Sequence, residues 1–359
     1  MRKSWGGAGK YDAAMDDEGI EARAAELLGP GAYGYFAGGA GDEHTLRANV
    51  DSWRRIGLSP RVLVDVSERD LSVHVLGIDR PHPVIAAPMA YQKHAHPEGE
   101  AAMARGVAAA DSTMILSSQS TTSPAEVAAA APGANRWFQL YVFKDRQVSL
   151  DLVAQARESG YEAIVLTVDF PVAGWRERDL RTNFRVEHPV AVWPSGVPLT
   201  TSELFDLHDP KVTWDDVAEF ADAARLPLLL KGILRPDDAL RAIDAAADGI
   251  IVSNHGGRQL DTVPSGAEAL MPVVEAVDGR IDVLVDGGIR RGWDVAKALA
   301  LGADAVLVGR PLLWALAVEG SEGVRRRLER LVAELDNTLA LLGVRRARDL
   351  DLDHLIIGG

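Results

Sequence analysis

The chain has 359 residues, a formal net charge of −14 and no cysteine. Without cysteine there is no disulfide, thiolate metal centre, cysteine-ligated iron–sulfur cluster or cysteine nucleophile, and the acidic balance argues against nucleic acid or an anionic membrane as partner. The length suits one large domain, a size that β/α barrels often reach.

Residues 1–20 mix charges and glycines without an apolar centre, so they read as neither a secretory signal nor an anchor. No apolar run is long enough to span a bilayer. The expectation is a soluble, cytoplasmic protein.

Eight short apolar runs follow, at residues 83–87, 114–117, 137–140, 163–168, 226–230, 249–252, 283–285 and 305–308. Helical patterns at 98–110, 124–131, 149–159, 214–224, 236–246, 267–277 and 293–300 separate them, and a last helix lies near 325–342. Continuous apolar runs suit parallel strands buried on both faces. Eight of them alternating with helices predict an α/β fold, a (β/α)8 TIM barrel over 83–359 with its C-terminal helix. Residues 1–82 form an N-terminal helical extension of the same domain. An open doubly wound sheet is the alternative. The longest interruption, 175–213, is rich in proline and polar residues, and loops of that length usually carry function.

Barrel enzymes work at the C-terminal ends of their strands. Those ends carry Pro88, Met89 and Ala90; Ser117 and Ser118; Gln139 and Tyr141; Thr167 and Asp169, with Arg176 beyond; Lys231; Ser253, Asn254, His255 and Arg258; Asp286, Gly287, Gly288 and Arg290; and Gly309 and Arg310. The last two loops join glycines to arginines, which suits a phosphate dianion at the place where this fold commonly binds one. Tight turns with surface arginines are the alternative.

His255 titrates near neutrality and has glycines beside it that leave room for a ligand. With Asp169 to orient it, the pair suits proton abstraction. Arg176 and Arg258 suit a carboxylate clamp. Lys231 suits a site where negative charge develops on a reduced flavin, or a Schiff base. His94 and His96, two residues apart at a helix start, lack metal-ligand spacing and carboxylate partners, so no metal is expected.

The segment from Ser253 to Asp261, SNHGGRQLD, resembles the signature of the FMN-dependent 2-hydroxy acid oxidases and dehydrogenases, which include enzymes for glycolate, lactate and mandelate. The stretches YFAGGAGDE, HPEGE, FQLYV, LTVD, LLKGI, LVDGGIRRG and LVGRP extend the resemblance from about Tyr33 to Leu355. It implies FMN as cofactor and oxidation of an (S)-2-hydroxy acid to the 2-oxo acid, with O2 as acceptor and hydrogen peroxide as product. A dehydrogenase serving a quinone or carrier protein, or another FMN barrel such as an isomerase, is the alternative. The family is also homo-oligomeric, as tetramers or octamers.

By the same resemblance Tyr35, Arg176 and Arg258 hold the substrate carboxylate, Tyr141 lies near the hydroxyl, and His255 is the base beside Asp169. Lys231 lies at the flavin N1 and O2 edge. Ser117, Gln139, Thr167 and the backbone at Ala90 bind the ring, Asp286 the ribityl chain, and Arg290, Gly309 and Arg310 the phosphate. Pro88, Met89, Ser253, Gly287 and Gly288 complete the cofactor set. Whether His255 takes the hydroxyl or the α-carbon proton stays open. Glycolate oxidases have Trp where this chain has Gln119, Leu where it has Ala173 and Arg where it has Trp175. The two smaller residues imply room for a larger substituent, in the direction of mandelate or 4-hydroxymandelate.

Overall fold

Eight parallel strands close into a barrel: β1 (Val84–Ala86), β2 (Thr113–Ser117), β3 (Asn135–Leu140), β4 (Ala163–Thr167), β5 (Leu228–Ile233), β6 (Gly249–Val252), β7 (Asp282–Val285) and β8 (Ala305–Val308). Each pairs with the next, and β8 returns to β1. The strand interiors are almost wholly buried, as runs without polar alternation require when helices cover one face and the barrel interior fills the other. The structure, a computed structural model, describes residues 17–190 and 197–358. Most of the segment read as neither signal nor anchor, and residues 191–196 of the expected long interruption, lie outside the described residues. Among those described, no helix is long and apolar enough to cross a membrane.

The barrel answers the expectation of a closed sheet strand for strand, with two shifts that matter. β5 runs on to Ile233, so Lys231 stands within the strand rather than after it, paired with Thr167 and Ile251. The C-terminal helix (Arg310–Leu342) begins directly after β8 and bends at Gly320, whose φ of 59° places it in the left-handed region. Gly320 lies between two helical patterns, of which the sequence reading caught only the second. The long interruption is partly structured, with short helices at Glu177–Thr182 and Thr201–Phe205 and a two-stranded pairing of Arg185–Val186 with Leu199–Thr200.

The extension contains α1 (Asp17–Ala37), bent at Gly29 before Pro30, and α2 (His44–Arg55). It is not purely helical: Val73–Val75 pairs with Ile78–Arg80, and Gly57–Leu58 with Leu355–Ile356. Both helices lie where the barrel's active end is built. Asp261 accepts the backbone N–H groups of Asp42, His44 and Thr45 at the start of α2. A carboxylate there satisfies orphan donors and complements the helix dipole. Asn49 and Asn254 exchange side-chain hydrogen bonds of 2.9 and 2.8 Å, so α2 grips the loop that follows β6.

Candidate active site

One cavity of about 1020 Å³, counting the space open at its mouth, lies over the C-terminal strand ends and is lined from all eight of them. At one end the wall is a row of side chains set by strand register. Ser117 Oγ donates to Gln139 Oε1 at 3.0 Å, and Gln139 Nε2 donates to Thr167 Oγ1 at 2.9 Å. Lys231 Nζ follows, donating to Ser253 Oγ at 2.8 Å and lying 3.0 Å from Asp286 Oδ2. Burial works against the lysine charge, but Asp286 and Asp169 outweigh it and hold its pKa above the ordinary value. Lys231 is thus a fixed cation.

His255 sits at the centre. Its Nδ1 is 2.9 Å from Asp169 Oδ1 and its Nε2 is 3.2 Å from the Tyr141 hydroxyl. Its φ is 60°, and Gly256 and Gly257 are also left-handed. The loop turns sharply back here; a Cβ on Gly257 would fall 2.7 Å from the Leu46 backbone in α2. Strain of this kind at a non-glycine residue is held only where surrounding contacts over-determine it. Here Asn254, Asn49 and the bond from His255 N to Ser253 Oγ do so. Burial lowers the His255 pKa below its ordinary value; Asp169 opposes this, and Lys231 and Arg176 add to it. The imidazole is neutral at pH 7. Burial disfavours the Asp169 charge, but His255 and then Lys231 prevail and hold its pKa low.

Beyond His255 lie the arginines. Arg176 is buried with its Nε donating to the Arg258 carbonyl at 3.1 Å, its guanidinium 5.0 Å from the Phe205 ring centre, and Asp179 3.9 Å away. Burial and the neighbouring Arg258 push its pKa down to about 10, which still leaves it charged. Arg258 lies over the Tyr35 ring at 4.8 Å and donates Nη1 to the carbonyls of Tyr35 and Gly38. Arg310 bonds the carbonyls of Phe36, Gly38 and Gly256, each at 3.0 Å. The C-terminal carbonyls of α1, the negative pole of that helix, therefore fix two cationic side chains. Burial, with Arg258 and Arg290 nearby, brings the Arg310 pKa to about 9.

Of the residues expected from sequence, Tyr35, Pro88, Met89, Ala90, Ser117, Gln139, Tyr141, Thr167, Arg176, Lys231, His255, Arg258, Asp286, Gly287, Gly288, Arg290, Gly309 and Arg310 all line this cavity. Asp169 and Ser253 stand behind it, bonded to His255 and Lys231. Gly287 and Gly288 have a local reason besides the one expected. A Cβ on Gly288 would fall 1.9 Å from the Asn49 carbonyl, so their smallness admits α2. Ala173 and Trp175, expected to shape the pocket, are exposed, and neither lines it. His94 accepts the Glu187 N–H and His96 the Glu98 N–H, each at 3.2 Å. Among the described residues no group of metal-ligating side chains gathers. Asn49, Phe170, Phe205, Asp179 and the carbonyls ending α1 were missed; they act through tertiary contact and carry no local signature.

The cavity fits FMN on its own evidence. Asp286 Oδ1 is buried without a hydrogen-bond partner among the described residues, an acceptor waiting for a hydroxyl. The Ser117–Gln139–Thr167 row offers both donors and acceptors to a planar heterocycle, and the Lys231 charge stands at its end. Comparison with known proteins agrees. The family described as FMN-dependent dehydrogenase matches residues 24–357. The chain is 45% identical to glycolate oxidase 3 of Arabidopsis thaliana over 350 residues, 92% of this chain and 93% of that one. It is 46% identical to the L-lactate oxidase of a Nostoc species over 339 residues, 90% and 93% of the two chains. A mandelate oxidase solved with (S)-2-phenylpropionate superposes with a TM-score of 0.86 at 42% identity, covering 95% of this chain and 98% of that one. With the signature loop at the mouth of a closed barrel and a family match across nearly the whole chain, this protein belongs to the FMN-dependent dehydrogenase family.

Proposed function

We propose that this protein oxidises an (S)-2-hydroxy acid to the 2-oxo acid, with O2 as acceptor and hydrogen peroxide as product. The observation that carries the reading is His255, neutral and braced by Asp169, with its Nε2 facing Tyr141 beside the buried Arg176 and the half-buried Arg258. Arg176 and Arg258 bind the substrate carboxylate, with Tyr35 packed against Arg258. Tyr141 Oη holds the substrate hydroxyl near His255 Nε2, which takes a proton from the substrate. The imidazolium that forms is stabilised by Asp169. FMN, when bound, supplies the two-electron acceptor. Ser117, Gln139, Thr167, Ser253, Lys231 and the segment Pro88, Met89 and Ala90 would hold its ring, Asp286 its ribityl chain, and Gly287, Gly288, Arg290, Gly309 and Arg310 its phosphate. Lys231 stabilises negative charge gained on reduction.

An aromatic or otherwise large substituent belongs to this reading. Its support is the Phe170 and Phe205 pair, in edge contact at 5.1 Å, in the same cavity wall, together with the likeness to mandelate oxidase. We further read residues 1–359 as one domain and the protein as a cytoplasmic homo-oligomer; exposed Val62 and Leu63 offer apolar surface for self-association.

The test is an anaerobic absorbance spectrum of the purified protein before and after (S)-mandelate, lactate or glycolate. The expected result is a flavin spectrum that bleaches with mandelate and returns on admitting air. Bleaching that air does not reverse would replace O2 by another acceptor. A bound flavin that no acid bleaches would overturn the reaction.

A further inference from the structure

A polar cluster stands in the cavity wall where the rest of the substituent side is aromatic. Gln119 follows β2, is 1% exposed and lines the cavity. Tyr91, itself buried, donates its hydroxyl to Gln119 Oε1. On the other side Gln119 Nε2 lies 2.7 Å from His208 Nε2. An amide has two N–H donors and two carbonyl lone pairs. In either orientation of that amide, Tyr91 and His208 take one of each. The second N–H and the second lone pair have no partner among the described residues.

His208 is held firmly. The segment around it pairs with the loop after β3: Lys144 N donates to the Leu207 carbonyl and Asp209 N to the Val142 carbonyl. The ring stacks on Tyr141 at 4.8 Å and meets Phe170 edge-on at 4.9 Å, with Phe143 at 5.1 Å. Burial, then the nearby His255, brings its pKa down to about 4, so it is neutral at pH 7. Lys144 is the cation that acts on His208, and Arg176 and Arg258, which act on Tyr91, belong to the carboxylate end. The cluster itself carries no charge.

A buried amide with an unused donor and acceptor carries a desolvation penalty unless something completes it. Here it borders the space that the α-substituent of a 2-hydroxy acid must fill. We infer that Gln119, fixed by Tyr91 and His208, is a recognition point for an uncharged hydrogen-bonding group (a hydroxyl or a carbonyl) on the substituent, and that His208 is the residue that positions it. The inference rests on the oxidation reading above. It adds to that reading a preference within large substituents, for polar over apolar ones. The physical basis is that a site built around a hydrogen bond rejects an analogue lacking it more strongly than an apolar pocket rejects an extra group. Because His208 also stacks on Tyr141, the same ring ties recognition of the substituent to the hydroxyl-binding group.

The experiment compares kcat/KM for matched acids, (S)-mandelate against its ring-hydroxylated analogues, with a straight-chain apolar 2-hydroxy acid as a further comparator. The same set is run on His208→Phe, which keeps the stacking surface and removes the bond to Gln119. The expected result is that at least one ring-hydroxylated acid exceeds mandelate by about ten-fold, the worth of one net hydrogen bond. That ratio should collapse towards one in His208→Phe through a rise in KM for the hydroxylated acid. Equal kcat/KM for all matched members in the unmodified enzyme overturns the inference and leaves the oxidation intact, and so does a ratio that survives His208→Phe. If the variant does not fold, the ratio in the unmodified enzyme decides alone. Failure of every acid to bleach the flavin overturns the oxidation reading and this inference with it.

Discussion

At the Lys231 end of the cavity the polar groups stand on neighbouring strands and meet because the register places them side by side. At the Arg176 end they hang from loops, and the extension and the interruption after β4 hold them. Ser117, Gln139, Thr167 and Lys231 need only the barrel to be aligned. Arg258, Arg310 and His255 need the carbonyls that close α1 and the Asn49 grip of α2. The difference teaches where each kind of property is stored. The Ser117–Gln139–Thr167–Lys231 row is a property of the sheet, whereas Arg258, His255 and Arg310 depend on what is packed on top of it.

The comparison can be broken with substitutions at each end. The largest effect is expected at the join. His255→Gln should keep the flavin spectrum and lower the rate of anaerobic flavin reduction by about 10²–10⁴-fold, the usual contribution of a general base; a loss under tenfold would remove His255 from that role. Lys231→Met should leave Asp286 buried and unpaired. Breaking a buried pair in this way costs about 3–5 kcal/mol, so weaker FMN retention and a lower melting temperature are expected together. Arg176→Lys should do the opposite: retain FMN and raise KM, with kcat/KM falling about 10–100-fold through loss of a charge-assisted hydrogen bond. If Arg176→Lys sheds flavin or Lys231→Met leaves it bound, the division between the two ends is wrong.

Two smaller effects sharpen it. Burial depresses the His255 pKa, so the base stays unprotonated below the ordinary imidazole range and the rate should fall only on the acid side of about 6.5. Asp169 is the group that raises that pKa, so Asp169→Asn should shift the acid limb of the pH profile to still lower pH while slowing the reaction. A shift to higher pH would show that Asp169 acts differently. Asn49→Ala should cost about 1–3 kcal/mol by leaving Asn254 half satisfied, visible in thermal unfolding, and should raise KM more than it weakens FMN binding.

The same division governs what could be read from the sequence. The apolar runs without alternation gave away the buried parallel strands, and their ends gave residues that line the cavity, because strand register is local information repeated eight times. The signature loop exposed His255 and Arg258. The extension was legible only as helix. Nothing in the sequence around Asn49 or Phe36 reveals that these residues meet Asn254 or Arg310, more than two hundred residues away. Gly287 and Gly288 line the cavity and also let α2 approach, since a glycine shows that something comes close without showing what. Ala173 failed because neighbours along a loop need not face the same way. His208 went unnoticed because an isolated histidine in an irregular segment has no period to betray it.

The clasp on α1 has a consequence for how the molecule is made. Arg258 reaches the Tyr35 carbonyl across 223 residues and Arg310 the Phe36 carbonyl across 274. Contacts so distant along the chain must close large loops before they contribute anything, which makes them late events in folding. The first helix leaves the ribosome early and waits with its carbonyls unclaimed until the last strands emerge. A chain stopped before Arg258 has six of its eight strands but neither Arg258 nor Arg310 to close on α1, so the mouth of the barrel is finished only late in synthesis.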